Sequence, residues 1–270
     1  MTTIPLSIRS RDNPSLAQVR RALRDPGAYR REGALLWLEG DHLLHACLAR
    51  GWPLQQVLVA ESAWAQAALR GLAMQAQRLL LLPDALFREL STLESPGSIG
   101  ALIERPQPAA LRSDVPTVLL DRLQDAGNVG SILRSAAALG VQQVLALKGT
   151  AALWSPKVLR AGMGAHFALQ LYEGLTPDEL LPLSLPWVAT SSHAPMLLHR
   201  CTLPQPCAWI FGHEGQGVSA ELMTRCAMTL RIAQPGGEES LNVAAAAAIC
   251  LHESVRQREL QQSVRQRGLQ

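Results

Sequence analysis

Trp209-Ile210-Phe211-Gly212-His213-Glu214-Gly215-Gln216-Gly217-Val218-Ser219 is an apolar run that stops abruptly in glycines. That composition predicts a strand feeding a tight turn. A second apolar run, Met228 to Ala233, enters Gln234-Pro235-Gly236-Gly237-Glu238-Glu239-Ser240-Leu241-Asn242. An alanine-rich helical pattern follows from Val243 to Arg258, with Asn242 where a helix N-cap is expected. Two strands that each deliver a glycine-rich loop let backbone N–H and C=O groups approach a ligand closely, because glycine has no side chain in the way. Crevices of this kind, at the carboxyl ends of parallel strands, are where α/β sheets bind small molecules. Neither loop matches G-x-x-x-x-G-K-[ST], and no G-x-G-x-x-G opens a helix after the first strand, so the usual phosphate cradles are excluded.

Working outward, the same alternation runs through most of the 270 residues. Asn13-Pro14 opens a helix whose apolar positions are Leu16, Val19, Ala22 and Leu23. Strands are expected over Ala34 to Leu38, Gln56 to Ala60, Arg78 to Leu82 and Ser98 to Ile103. Helices are expected over Asp41 to Arg50, Ala63 to Ala76 and Asp84 to Leu90. Pro106, Pro108 and Pro116 then mark a linker. We therefore read a first domain over 1–105, a linker over 106–116 and a second domain over 117–270.

Thr117 to Leu120 starts the second alternating series and leads through Asp125-Ala126-Gly127-Asn128 into a helix with Val129, Ile132, Leu133 and Ala136 on one face. Arg134 points away from that face, in the second turn of a helix that opens at a strand's carboxyl end. Further strands are expected over Val144 to Leu147, Phe167 to Tyr172, Trp187 to Thr190, Trp209 to Phe211 and Met228 to Ile232, with a proline-started helix from Lys157 to Gly164. The pattern is that of a parallel sheet covered on both sides.

Composition narrows the function classes. With 48% hydrophobic residues the chain can bury a sizeable core. Met1 to Asp12 holds no apolar leader core, and no apolar run approaches the roughly 20 residues of a membrane helix. A soluble, cytoplasmic protein with no membrane association is expected. The five cysteines are odd in number and widely spaced, which suits free thiols in a reducing compartment. His42, His45 and Cys47 lie close together, but without a second ligand cluster we expect no metal. Net charge is only +3, yet seven arginines (9, 11, 20, 21, 24, 30, 31) crowd one stretch against Asp12 and Asp25. Arginine suits bidentate phosphate contacts, so this stretch is a candidate nucleic-acid surface.

Three segments taken together resemble the signature of the SpoU (TrmH) family of RNA 2′-O-ribose methyltransferases. They are Asn128 to Arg134, Ile210 to Ser219, and Ile232 through Ser240-Leu241-Asn242-Val243 with its alanine-rich helix. Asn13-Pro14 and Glu39-Gly40 resemble, more weakly, the family's smaller N-terminal α/β domain, which is similar to a ribosomal protein and binds substrate RNA. The resemblance implies a parallel-sheet methyltransferase domain with a deep trefoil knot of the SPOUT type, working as a homodimer. It implies S-adenosylmethionine as cofactor and ribosomal or transfer RNA as substrate. Carried over by position, Thr190, Gly212, Ile232 and Leu241 would line the cofactor pocket, while Asn128, Arg134, Glu214, Ser240 and Asn242 match the polar active-site positions. The chain departs from the family in the order Ile232-Ala233-Gln234-Pro235, where proline often follows the isoleucine directly, and in Ala244, where many members carry serine. The rival expectation is an RNA-binding or ribosome-assembly factor that keeps the fold without catalysis.

Overall fold

The computed structural model describes residues 4–91, 95–236 and 240–267. Packing divides the chain into two compact units, one of residues up to Gln107 together with Trp154–Phe167, the other of Pro108–Leu153 with the rest of the chain from Ala168.

In the first unit, β1 (Leu6–Ser7) precedes α1 (Pro14–Arg24), and β2 (Leu35–Glu39), α2 (Asp41–Ala49), β3 (Gln56–Ala60), α3 (Ala67–Ala73), β4 (Arg78–Leu82), α4 (Asp84–Arg88) and β5 (Ile99–Glu104) follow. Asn13 caps α1 by accepting from the Ser15 N–H. The sheet order is β1-β4-β3-β5-β2, with β5 antiparallel to both neighbours and the other pairs parallel. The single helix expected from Ala63 to Ala76 is two pieces, a 3₁₀ turn over Glu61–Ala65 and then α3, joined at an extended Gln66. Cys47 is buried on α2, and burial pushes its thiol up to about 12. Among the described residues no group of three or more metal-ligating side chains gathers, and no helix is long and apolar enough to cross a membrane.

The second unit begins with β6 (Thr117–Asp121), α5 (Ala126–Ala138) and β7 (Gln143–Leu147). The next helix, α6 (Pro156–Gly162), packs with the first unit, although its place in the sequence sets it within the second alternating series. Aromatic contacts account for this. Trp154 and Phe167 are both buried, and the Phe167 ring lies 6.0 Å from Trp52 and 6.2 Å from Trp154 between centroids. The chain then supplies β8 (Gln170–Leu175), β9 (Trp187–Thr190), β10 (Met196–Leu197), β11 (Ala208–Gly212), α7 (Ala220–Thr224), β12 (Met228–Arg231) and α8 (Val243–Arg267). The strand expected from Phe167 starts only at Gln170, because Ala165–Ala168 forms a 3₁₀ turn.

All seven strands of this sheet pair in parallel, in the order β10-β12-β9-β11-β6-β7-β8. Each central strand is buried on both faces, as a parallel sheet requires. Leu119, Ala189 and Ile210 point into a cluster with Leu180, Trp187 and Leu222. Their neighbours point the opposite way, and Trp209 there donates to the Ser254 hydroxyl of α8. Every fully buried aliphatic side chain contributes roughly 1.5–3 kcal/mol, so the carboxyl ends of these strands stand on a stiff base.

Candidate functional site

The carboxyl ends of β9, β11 and β12 enclose a cavity of about 560 Å³, within the range of small-molecule sites. Thr190 at the end of β9, Gly212 at the end of β11, Ile232 just past β12 and Leu241 before α8 all line it. Glu214, Ser240 and Asn242 line it as well. Gly237, Glu238 and Glu239 of the same loop lie outside the described residues.

The loop after β11 is shaped by close backbone crossing. A Cβ placed on Gly212 would lie 2.1 Å from the carbonyl carbon of Gly217 and from the Val218 nitrogen. No side chain fits there, and the loop folds directly back over its own strand. The Gly217 N–H donates to the His213 carbonyl at 2.8 Å, with Gly217 in the left-handed region at φ +68°. The His213 Nδ1 accepts from the Gly215 and Gln216 N–H groups at 3.0 and 3.3 Å.

Beneath this loop a second tie holds it to β6. Asp121 is buried at the strand's end and accepts from the Ser219 N–H at 2.7 Å and from Arg122 Nε at 2.8 Å. Arg122 reaches on to the Gln216 side-chain oxygen at 3.2 Å. It does so from φ 60°, a conformation that costs a non-glycine residue on the order of 1–2 kcal/mol. The hydrogen bond and charge of Asp121 raise the Arg122 guanidinium above its ordinary value. Sequence reasoning passed over this pair, and the available signal was a charged residue closing an otherwise apolar strand.

The three segments that carry the polar candidates meet in one hydrogen-bonded bracket. Asp125 caps α5 through the Asn128 N–H at 2.8 Å. The Glu214 carboxylate accepts from the Asp125 N–H at 3.1 Å, the Gln124 N–H at 3.2 Å and the Asn128 side-chain amide at 3.2 Å. Asn128 in turn accepts from the Asn242 amide at 2.9 Å, and the Asn242 oxygen caps α8 through Ala244 and Ala245 at 2.9 and 3.2 Å. These contacts join positions 86 and 114 residues apart.

Burial pushes the Glu214 carboxyl up, but hydrogen bonds from its own backbone, Asp125, Gln124 and Asn128 outweigh it and hold the group below its ordinary 4.5. Both oxygens are engaged, so Glu214 acts as a clasp between loops. A depressed folded-state value means that the clasp contributes stability above pH 4.5 and loses it as pH falls through the lower folded value. Cofactor affinity, followed by calorimetry from pH 7 downward, is expected to fall in that acid window in the wild type. Glu214→Gln should bind more weakly already at pH 7 and lack that acid limb; a wild-type affinity that stays flat down to the folded-state value would refute the clasp.

Of the remaining candidates, Ser240 is exposed on the cavity wall. Arg134 is exposed on α5, does not line the cavity, and its side chain makes no hydrogen bond or ion pair among the described residues. The structure thus joins Asn128, Glu214 and Asn242 directly, surrounds the cavity with the four expected apolar or backbone positions, and leaves Arg134 free.

A parallel sheet with a ligand-sized crevice at its carboxyl edge, rimmed by a carboxamide–carboxylate bracket, defines an α/β protein built to hold a small molecule beside a polar reaction site. The chain belongs to the SpoU rRNA methylase family, whose model matches residues 116–252. It is similar to an uncharacterised tRNA/rRNA methyltransferase of Synechocystis sp., 32% identical over 95% of this chain and 96% of that one. It is also similar to the 23S rRNA (uridine(2479)-2′-O)-methyltransferase of Streptomyces viridochromogenes, 30% identical over 81% of this chain and 82% of that one. Among solved structures, the SpoU methyltransferase AviRb of Streptomyces viridochromogenes in complex with AdoMet matches with a TM-score of 0.83 at 28% identity, over 91% of this chain and 98% of that one.

Proposed function

We propose that this protein transfers a methyl group from S-adenosylmethionine to a ribose 2′-hydroxyl of ribosomal RNA. The observation that carries the reading is the Glu214–Asn128–Asn242 bracket on the rim of the cavity. The cavity fits the cofactor on two counts. Gly212 lets the loop after β11 cross closely over its own strand end and frame the cavity, and a buried amide oxygen of Gln234 on the wall accepts no hydrogen bond among the described residues. Thr190, Gly212, Ile232 and Leu241 would hold the cofactor, largely through backbone atoms.

Bound S-adenosylmethionine supplies an electrophilic methyl group. The chain's own residues must then make a neutral hydroxyl, a poor nucleophile near pH 7, attack in line. Fixing donor and acceptor in one geometry is itself worth several kcal/mol. Asn128, Glu214 and Asn242 hold the loops that set that geometry. Arg134 grips the adjacent phosphate and stabilises the developing alkoxide; the proton leaves to solvent.

The same reading assigns residues 1–105 to RNA selection and 117–270 to methyl transfer in the cytoplasm, and it includes a trefoil knot and a homodimer. What supports the knot is the strand order, in which β11 inserts between β9 and β6 while β12 passes to the far side of β9. A shallow apolar surface of Ile232, Ala233, Ala248 and Ile249 offers a face for a second copy.

Among the described residues Arg9 pairs with Glu61, Arg11 and Arg20 with Glu89, and Arg31 with Asp25. Arg30 stacks over Tyr29. Arg21 and Arg24 are exposed on α1 without an ion pair among the described residues. Arg21→Glu with Arg24→Glu is expected to weaken RNA binding and reduce the salt slope by about two, with cofactor affinity unchanged; an unaltered slope removes α1 from the RNA surface. The reading as a whole is tested by labelled methyl transfer to RNA from a strain lacking the protein, followed by mapping. One labelled ribose 2′-oxygen is the expected result, and cofactor binding without any RNA labelling would turn the reading toward a non-RNA acceptor.

A further inference from the structure

Gln234 lines the cavity two residues past Ile232, at a position where the chain departs from its family's usual order and to which the resemblance assigns no role. Its Oε1 is buried and accepts no hydrogen bond among the described residues. Buried carboxamide oxygens are almost always paired, because leaving one unpaired forfeits its hydration without return. Ile232, Leu241, Val243 and Ala246 share the cavity with it and present apolar side chains. An acceptor set in an apolar wall matches a flat, mostly apolar ligand group that carries one N–H edge.

S-adenosylmethionine has two nitrogen donors at opposite ends, the exocyclic amine of its adenine and the ammonium of its amino-acid moiety. The ammonium is charged and calls for a carboxylate or several polar partners. The adenine ring needs apolar faces and a single acceptor for its amine. Gln234 follows β12, whereas the Glu214–Asn128 clasp joins the loops after β11 and β6, and β9 lies between β12 and β11 in the sheet. The neutral adenine end is therefore the one whose chemistry suits Gln234.

We propose that Gln234 is a specificity-determining residue that reads the adenine of the cofactor, its Oε1 accepting a hydrogen bond from the exocyclic amine. The inference rests on the cofactor reading above. In place of a backbone contact alone, this chain uses a side chain to distinguish a 6-amino from a 6-oxo purine.

Calorimetric binding of S-adenosylhomocysteine and of its 6-oxo (hypoxanthine) counterpart to the full-length protein tests it without any assay of turnover. The wild type should favour the amino form, and Gln234→Leu should lower that preference by about tenfold, the effect of one hydrogen bond to an otherwise unpaired acceptor. Gln234→Glu, which keeps an acceptor oxygen at the same reach, should retain it. An equal preference in wild type and Gln234→Leu overturns the proposal. So does a Gln234→Leu defect confined to the ratio between S-adenosylhomocysteine and 5′-methylthioadenosine, which lacks the amino-acid end and would place the oxygen on the ammonium. A wild type that binds none of these nucleosides defeats the cofactor reading itself, an outcome separate from lost discrimination.

Discussion

Arg134→Ala will lower methyl transfer by at least roughly a hundredfold, the scale on which removing a single charge-stabilising group acts, while cofactor affinity stays within about twofold, as for sites that share no partner. The asymmetry follows from where the side chain stands. Arg134 lies on the exposed side of α5, opposite Val129, Ile132 and Leu133, which are buried. It is absent from the cavity wall and bound to nothing among the described residues. A guanidinium in that position is available to an RNA phosphate and irrelevant to a nucleoside in the crevice. Arg134→Lys should recover only part of the loss, since a lysine keeps the charge without the planar fork. Single-turnover transfer of labelled methyl, alongside calorimetric cofactor binding, separates the two quantities. A parallel fall in both would move Arg134 from the RNA to the cofactor and remove it from alkoxide stabilisation.

Gly212→Ala will abolish measurable cofactor binding. The added methyl would sit 2.1 Å from the Gly217 carbonyl carbon and the Val218 nitrogen, and 2.3 Å from the Gly217 oxygen. These are backbone atoms and cannot swing aside as a flexible side chain could, so the whole loop must lift. The loop carries Glu214 into its clasp with Asp125 and Asn128, and Ser219 onto Asp121. Lifting it dismantles the cavity rim and the bracket together. Overpacking of this kind also destabilises a fold by about 1–3 kcal/mol, so a fall in Tm should accompany the lost affinity. Gly217→Ala is the matched control. Its Cβ meets open space, and only its φ of +68° opposes the change, a strain on the order of 1–2 kcal/mol. It should cost stability while leaving much of the affinity. Equal cofactor affinity in Gly212→Ala and wild type would show that the close crossing does not shape the site.

Much of the secondary structure was legible in the amino-acid order because its signals are local. Gln56–Ala60, Arg78–Leu82 and Trp187–Thr190 are apolar runs ended by turn or cap residues, and they stand as strands within the expected bounds. Asn13 and Asn242 cap the helices they were expected to start, since a short side-chain acceptor acts on N–H groups two or three residues away. The cavity candidates were legible through glycine, whose value is also local. The strands β1 and β10 were not read, because two residues carry no period and these exist only through pairing with β4 and β12.

The sequence by itself thus determined the alternating α/β pattern, the caps, the glycine-rich turns and the polar letters of the site. Tertiary structure alone decided the sheet order, the packing of α6 with the first unit, the Asp121–Arg122 tie under the glycine loop and the bracket from Glu214 through Asn128 to Asn242. The division has a physical cause. Caps and turns are settled by interactions over a few residues, whereas contacts across 86 to 114 positions form only when burial of both sheet faces brings distant strand ends to one edge.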